Sequence, residues 1–85
     1  MSKVLVILKV FPKGIEVDIE KLKEKIETMT RAEKIEIEDF VFGLKCLKVH
    51  KLIDDSGNLL EELENKIRSI EEVSNVEVEK ITRTI

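Results

Sequence analysis

Apolar residues change their spacing several times along the chain, and each change marks an element. From Lys3 to Phe11 nearly every position is Val, Ile, Leu or Phe, as in a strand covered on both faces or lying in mid-sheet. Pro12, Lys13 and Gly14 close it. Ile19, Leu22, Ile26 and Met29 then recur at spacings of three, four and three, which draws one apolar stripe down a helix of about three turns. Asp18 stands where a carboxylate can accept from the free amides of the first turn, and Glu20 where the helix dipole favours an anion.

From Glu33 to Asp39 the period drops to two. Ile35 and Ile37 alternate with Lys34, Glu36 and Glu38, the mark of a half-buried strand. Its charged face suits a sheet edge, where charge discourages pairing with other chains. Phe42 and Gly43 follow almost at once, which predicts a short hairpin with Leu44 to Ile53 as the longer returning strand. Phe40 and Phe42 share parity, so a regular strand points both rings to one side; for Phe40 the expected role is to seal a core edge. Asp54, Asp55, Ser56 and Gly57 form a dense turn signal. Asn58 is the expected cap of the next helix, with Glu61 completing a capping-box-like pair. Leu59, Leu60, Leu63, Ile67 and Ile70 make its stripe. In the last segment Val76 and Val78 alternate with Glu77 and Glu79, a second edge-like strand that runs to about Arg83.

The order is therefore βαββαβ. Right-handed crossovers put strands one and three in the centre of an antiparallel sheet, strands two and four at its edges, and both helices on one face. This is a ferredoxin-like α+β sandwich. The pattern agrees independently, because the long apolar strands are the two placed centrally and the glutamate-rich ones are the two placed at the edges. On strand one, Val4, Val6, Leu8 and Val10 are expected to face the helices, which leaves Leu5, Ile7 and Phe11 on an open and unusually apolar face. Strand three offers two sets, Leu47, Val49 and Ile53 or Leu44, Cys46 and Leu52, of which the first is taken as core.

Composition narrows the function. At 85 residues the chain is expected to be one domain spanning 1–85, with one thin core and no deep enclosed site. Fifteen basic residues against 18 acidic give a net charge of -3, with no basic stripe of the kind that nucleic acid calls for. The aromatic platform by which such sheets bind RNA is missing as well, since the central strands carry mostly Val, Ile, Leu, Lys and His. The longest apolar run, Val4 to Leu8, has five residues, far short of the roughly 20 that cross a bilayer. One cysteine, and a start unlike a secretion signal, point to the cytoplasm.

No catalytic constellation emerges. Cys46 and His50 lie on one strand face but roughly 13 Å apart at strand spacing, too far to act as nucleophile and base. Cys46 is expected to be plain packing, and His50 to be at the surface or half-buried without a special role. Zinc needs a cluster of three or four ligands that neither supplies. The glycine of Asp54-Asp55-Ser56-Gly57-Asn58 comes too soon for a calcium loop. Gly14, Gly43 and Gly57 are isolated from one another, so there is no phosphate loop. No metal, cofactor or enzymatic step is expected. Phe42 stands out instead, because a ring at a turn beside a glycine is easily left accessible to a partner.

The segment Phe42-Gly43-Leu44-Lys45, the β-rich run after it, the acidic turn, the amphipathic helix and Val73-Ser74-Asn75-Val76-Glu77-Val78 together resemble the archaeal translation elongation factor 1-beta family, over essentially the whole chain. The resemblance implies the same βαββαβ fold and promotion of GDP release from elongation factor 1-alpha, the GTPase that delivers aminoacyl-tRNA to the ribosome. It implies that Phe42 matches the aromatic that contacts the GTPase outside its nucleotide domain. It also implies that Arg83 matches, within a residue, a lysine pushed towards the magnesium and phosphate region. With Gly43 and Lys45 of the same motif, these residues form the expected partner-binding set. The chain departs from the family in carrying Arg rather than Lys near its end, since a planar guanidinium does not substitute freely for an ammonium. It also has Asp39 where the family often has Pro.

Two other classes remain open. One is a small-ligand-binding regulatory domain of the same topology. The other is an acyl-phosphate hydrolase, which needs an anion-binding loop with Arg after the first strand, and Pro12-Lys13-Gly14 offers none.

Overall fold

The structure, a computed structural model, describes residues 3–55 and 58–83. Its elements are β1 (Lys3–Pro12), α1 (Ile19–Thr30), β2 (Lys34–Asp39), β3 (Lys45–Asp54), α2 (Leu59–Arg68) and β4 (Val73–Arg83). The sheet order is β2-β3-β1-β4, and every neighbouring pair is antiparallel. This is the ferredoxin-like α+β sandwich that the hydrophobic pattern predicts. The predicted acidic turn falls partly outside the described residues, at Ser56 and Gly57.

Strand pleating sends alternate side chains to opposite faces, and the core follows that rule closely. Val4, Val6, Leu8 and Val10 of β1 are buried on the helix side. Leu47 and Val49 of β3 join them, and Ile53 packs against the same cluster, so the first of the two β3 sets is the core one. The helices contribute Leu22 and Ile26 from α1, Leu63 and Ile67 from α2, and Ile70 just beyond α2. Cys46 is buried too, although its parity is the opposite one. The register places it level with Phe11, one residue beyond the Val10–Leu47 pair. Desolvation there pushes its thiol pKa up, which fits a packing residue rather than a nucleophile.

The open face differs from expectation. Leu5, Ile7 and Phe11 are half-buried rather than forming an exposed apolar surface, because long polar side chains cross it. Lys48 lies 3.2 Å from Glu79 and 3.8 Å from Glu38, Lys9 lies 3.7 Å from Glu79, and the His50 imidazole lies 3.0 Å from Glu36. Lys and Glu lay their aliphatic stems along apolar surface while the heads remain wet. The His50 hydrogen bond holds the Glu36 carboxyl below the usual carboxylate range.

β4 also departs from simple alternation. Its pairing with β1 shifts between Ile7 and Leu8, so that Leu8 faces Val78 while Ile7 faces Lys80. A bulge inserts an unpaired residue and turns the strand. The shift keeps Val78 and Ile81 on the same face as their partners Leu8 and Val6, yet both remain exposed on this edge strand.

The two predicted helix caps part company. The Asp18 carboxylate accepts from the amides of Glu20 and Lys21 at 3.2 Å each, from the extended backbone that an N-cap requires. Asn58 makes no side-chain cap bond, and its backbone at φ -104, ψ 23 is not extended; the expected pair with Glu61 does not form. Asp18→Ala is therefore expected to cost about 1 kcal/mol, the usual value of a working N-cap. Asn58→Ala should stay within a few tenths. Equilibrium denaturation of the two variants checks the contrast, and equal losses would contradict it.

Candidate partner-binding site

The connection from β2 to β3 is built to hold one ring in water. The Phe40 amide donates to the Leu44 carbonyl at 2.7 Å, and the Leu44 amide donates to the Val41 carbonyl at 3.1 Å, closing a 3₁₀ turn over Val41–Gly43. Phe42 lies in the left-handed region at φ 58, ψ 34, and Gly43 follows at φ 76. For a residue with a β-carbon that conformation costs roughly 1–2 kcal/mol, and the Phe42 ring recovers nothing from the core, being 95% exposed. Space is not what demands glycine at 43, since a β-carbon there would meet no atom within 4 Å. The positive φ is the constraint.

Equal parity does not send the two rings together. Phe40 turns back onto Phe11, edge to face at 5.1 Å with the ring planes at 62°, while Phe42 points away. Parity is a property of extended backbone, and the residues between these rings are a tight turn. Phe40 therefore does not seal the core as expected: it is 42% exposed, and its ring contact is with Phe11 on the open face.

Lys45 opens β3 opposite Asp39, the last residue of β2, and its ammonium donates to the Asp39 carboxylate at 2.5 Å. That bond holds the Asp39 carboxyl below the usual range. Lys45 thus bridges the two legs of the hairpin where they meet the Phe42 turn, through an exposed pair of small energetic worth.

Arg83 is elsewhere. It pairs in register with Val4 at the start of β1, whereas Lys45 stands two residues past the Val10–Leu47 pair at the other end. Eight strand residues separate these levels, roughly 26 Å. The guanidinium is ion-paired with Asp55, beside a cavity of about 300 Å³ walled by Val6, Leu60 and Ile81. The fold therefore gathers Phe42, Gly43 and Lys45 at one end of the sheet and sets Arg83 at the other.

Sequence reasoning passes over Ile15. It sits in the loop between β1 and α1, belongs to no stripe, and is 74% exposed. Its loop and the Gly43 turn wall one cavity of about 190 Å³, lined by Pro12, Ile15, Val17, Gly43 and Lys45. The only signal in the sequence is an isoleucine where a loop normally carries polar residues.

Among the described residues no group of three His, Cys, Asp or Glu could hold a metal ion, and no helix is long and apolar enough to cross a membrane.

The EF-1 guanine nucleotide exchange domain matches residues 5–84. Elongation factor 1-beta of Staphylothermus marinus is 42% identical to this chain, with 98% of each covered. The Methanosphaera stadtmanae protein of the same name is 40% identical, again with 98% of each covered. That of Methanosphaerula palustris is 38% identical over 99% of this chain and 100% of the relative. Similarity of this extent runs through both helices, all strands and the Phe42 turn, so the chain belongs to the EF-1 guanine nucleotide exchange domain family and serves nucleotide exchange in translation elongation.

Proposed function

We propose that the chain acts in the cytoplasm as a single exchange unit over residues 1–85, promoting release of GDP from elongation factor 1-alpha with no bond-making step and no cofactor of its own. The observation that carries this reading is Phe42, strained into the left-handed region and 95% exposed, at the opposite end of the sheet from a terminal arginine. Strain that the fold does not use points to a partner that does. Contact points roughly 26 Å apart at strand spacing call for a macromolecule. The cavities of about 190 and 300 Å³ sit at or below the small end of ligand pockets.

The mechanism is one of linkage. A factor that binds the GTPase more tightly without nucleotide than with it weakens nucleotide binding by the same ratio. Phe42, Gly43 and Lys45 supply the grip at one end. Arg83 supplies positive charge at the other, aimed at the magnesium and phosphate region. Its pairing with Asp55 is no obstacle, because exposed ion pairs contribute little and a phosphate-lined site competes easily.

The test is release of labelled GDP from elongation factor 1-alpha with and without this protein at micromolar concentration. Acceleration is expected; no acceleration would refute the reading. Arg83→Ala should lower the maximal exchange rate by about tenfold, within the range of single charge-assisted contacts, and should change affinity less. An unchanged maximal rate would remove Arg83 from the mechanism.

A further inference from the structure

We infer that Ile15 is a second apolar anchor for the same GTPase, forming with Phe42 one composite contact at the hairpin end of the sheet; the inference rests on the reading just given. Among the described residues the two most exposed large apolar side chains are Phe42 at 95% and Ile15 at 74%. They come from loops far apart in sequence, yet the loops meet, because Ile15, Gly43 and Lys45 wall one cavity. Val41 and Phe40, the latter 42% exposed, extend the same end of the molecule. Apolar exposure concentrated in this way marks an interaction site.

Both loops are held before any partner arrives. The Lys13 amide donates to the Glu72 carbonyl at 2.9 Å, and the Val17 amide donates to the Gly14 carbonyl at 3.2 Å, bracketing Ile15. Across the cavity, the Phe40–Phe11 ring contact and the backbone bonds from Phe40 to Leu44 and from Leu44 to Val41 hold the Phe42 turn. Side chains presented on pre-ordered backbone lose little entropy on binding, so their burial appears as affinity.

The size of the patch selects the occupant. Stable association through a single surface buries about 800 Å² on each partner around an apolar centre. Among the described residues the exposed large apolar ones at this end are four, Ile15, Phe40, Val41 and Phe42, a small anchor patch that suits one contact among several. A partner gripped at both ends of the sheet needs less at each, because the second contact forms at high effective concentration. The GTPase of the proposed function, engaged at Arg83 as well, is such a partner.

The test measures binding of the 85-residue chain to nucleotide-free elongation factor 1-alpha, together with the GDP release rate over a range of concentrations. Ile15→Ser is expected to weaken binding about tenfold, as for a mid-sized anchor, with the maximal release rate at saturation within about twofold of the unmodified protein. Ile15→Leu should restore binding. Since Ile15 is outside the core, the thermal midpoint of Ile15→Ser should match the parent. Binding by Ile15→Ser within twofold of an active parent overturns the inference and leaves the proposed function standing. No exchange by the parent overturns both. A parent that dimerises through this end, with Ile15→Ser monomeric yet equally tight on the GTPase, overturns the inference in favour of self-association.

Discussion

Replacing Phe42 with alanine is expected to slow GDP release at sub-saturating concentration by about 30-fold, the effect of losing roughly 2 kcal/mol at an aromatic hot spot, while leaving the protein as stable as before. The two halves of this expectation have one cause. The ring is 95% exposed and packs on nothing in its own chain, so truncating it removes no core contact. Alanine retains the β-carbon, so the left-handed strain at φ 58 is retained too, and the turn is still closed by Phe40, Val41 and Leu44. Loss at saturating concentration should be much smaller, because the Arg83 end is intact. Denaturant unfolding and exchange kinetics on the same preparation decide the matter. A large drop in stability would make Phe42 a structural residue, and undiminished exchange would remove it from the site.

Leu8→Ala should have the opposite profile. Leu8 is fully buried in the central strand β1, between Val49 of β3 and Val78 of β4 and beneath the helices. Its truncation combines lost transfer energy with a cavity that strands paired on both sides cannot close, so a cost of about 3–4 kcal/mol is expected. For a chain of this size the thermal midpoint should fall by roughly 15–25 °C. Exchange measured well below the new midpoint should be nearly normal, since neither end of the sheet is touched. A loss below about 1 kcal/mol would mean that the core is far looser than its burial implies.

Much of this architecture is legible in the spacing of apolar residues. The stripes of α1 and α2, the unbroken run of β1 and the alternation in β2 each follow from a local period. The order of elements then leaves handedness to choose the sheet arrangement. Local chemistry also identifies Asp18 as a cap, because the carboxylate of an extended acidic residue before an amphipathic run has the free amide donors of the first turn within reach. Asn58 has the same chemistry but not the backbone, and ψ depends on how the chain enters the helix from β3. The β4 bulge is invisible for a similar reason. Val76, Glu77, Val78 and Glu79 alternate correctly up to the point where pairing with β1 slips, and register belongs to two strands at once. The open face looks apolar when β1 is read alone; Lys48, Glu38, Glu79, His50 and Glu36 reach it from three other strands.

The site divides along the same line. Phe42-Gly43-Leu44-Lys45 is visible as a motif, and a turn at Gly43 follows from composition. That Phe40 folds back on Phe11 while Phe42 stands in water, that Lys45 pairs with Asp39, and that Ile15 shares a cavity with Gly43 all depend on contacts between residues distant in sequence. So does the position of Arg83 at the far end of the sheet from the hairpin. By itself the sequence determined the elements, their order and the buried stripes of β1 and the two helices, because periodicity is a local property of the chain. Only the tertiary structure decided which exposed side chains share an end of the molecule, because that depends on the pairing register of β1 with β3 and β4, and register is a relation between strands that no single segment encodes.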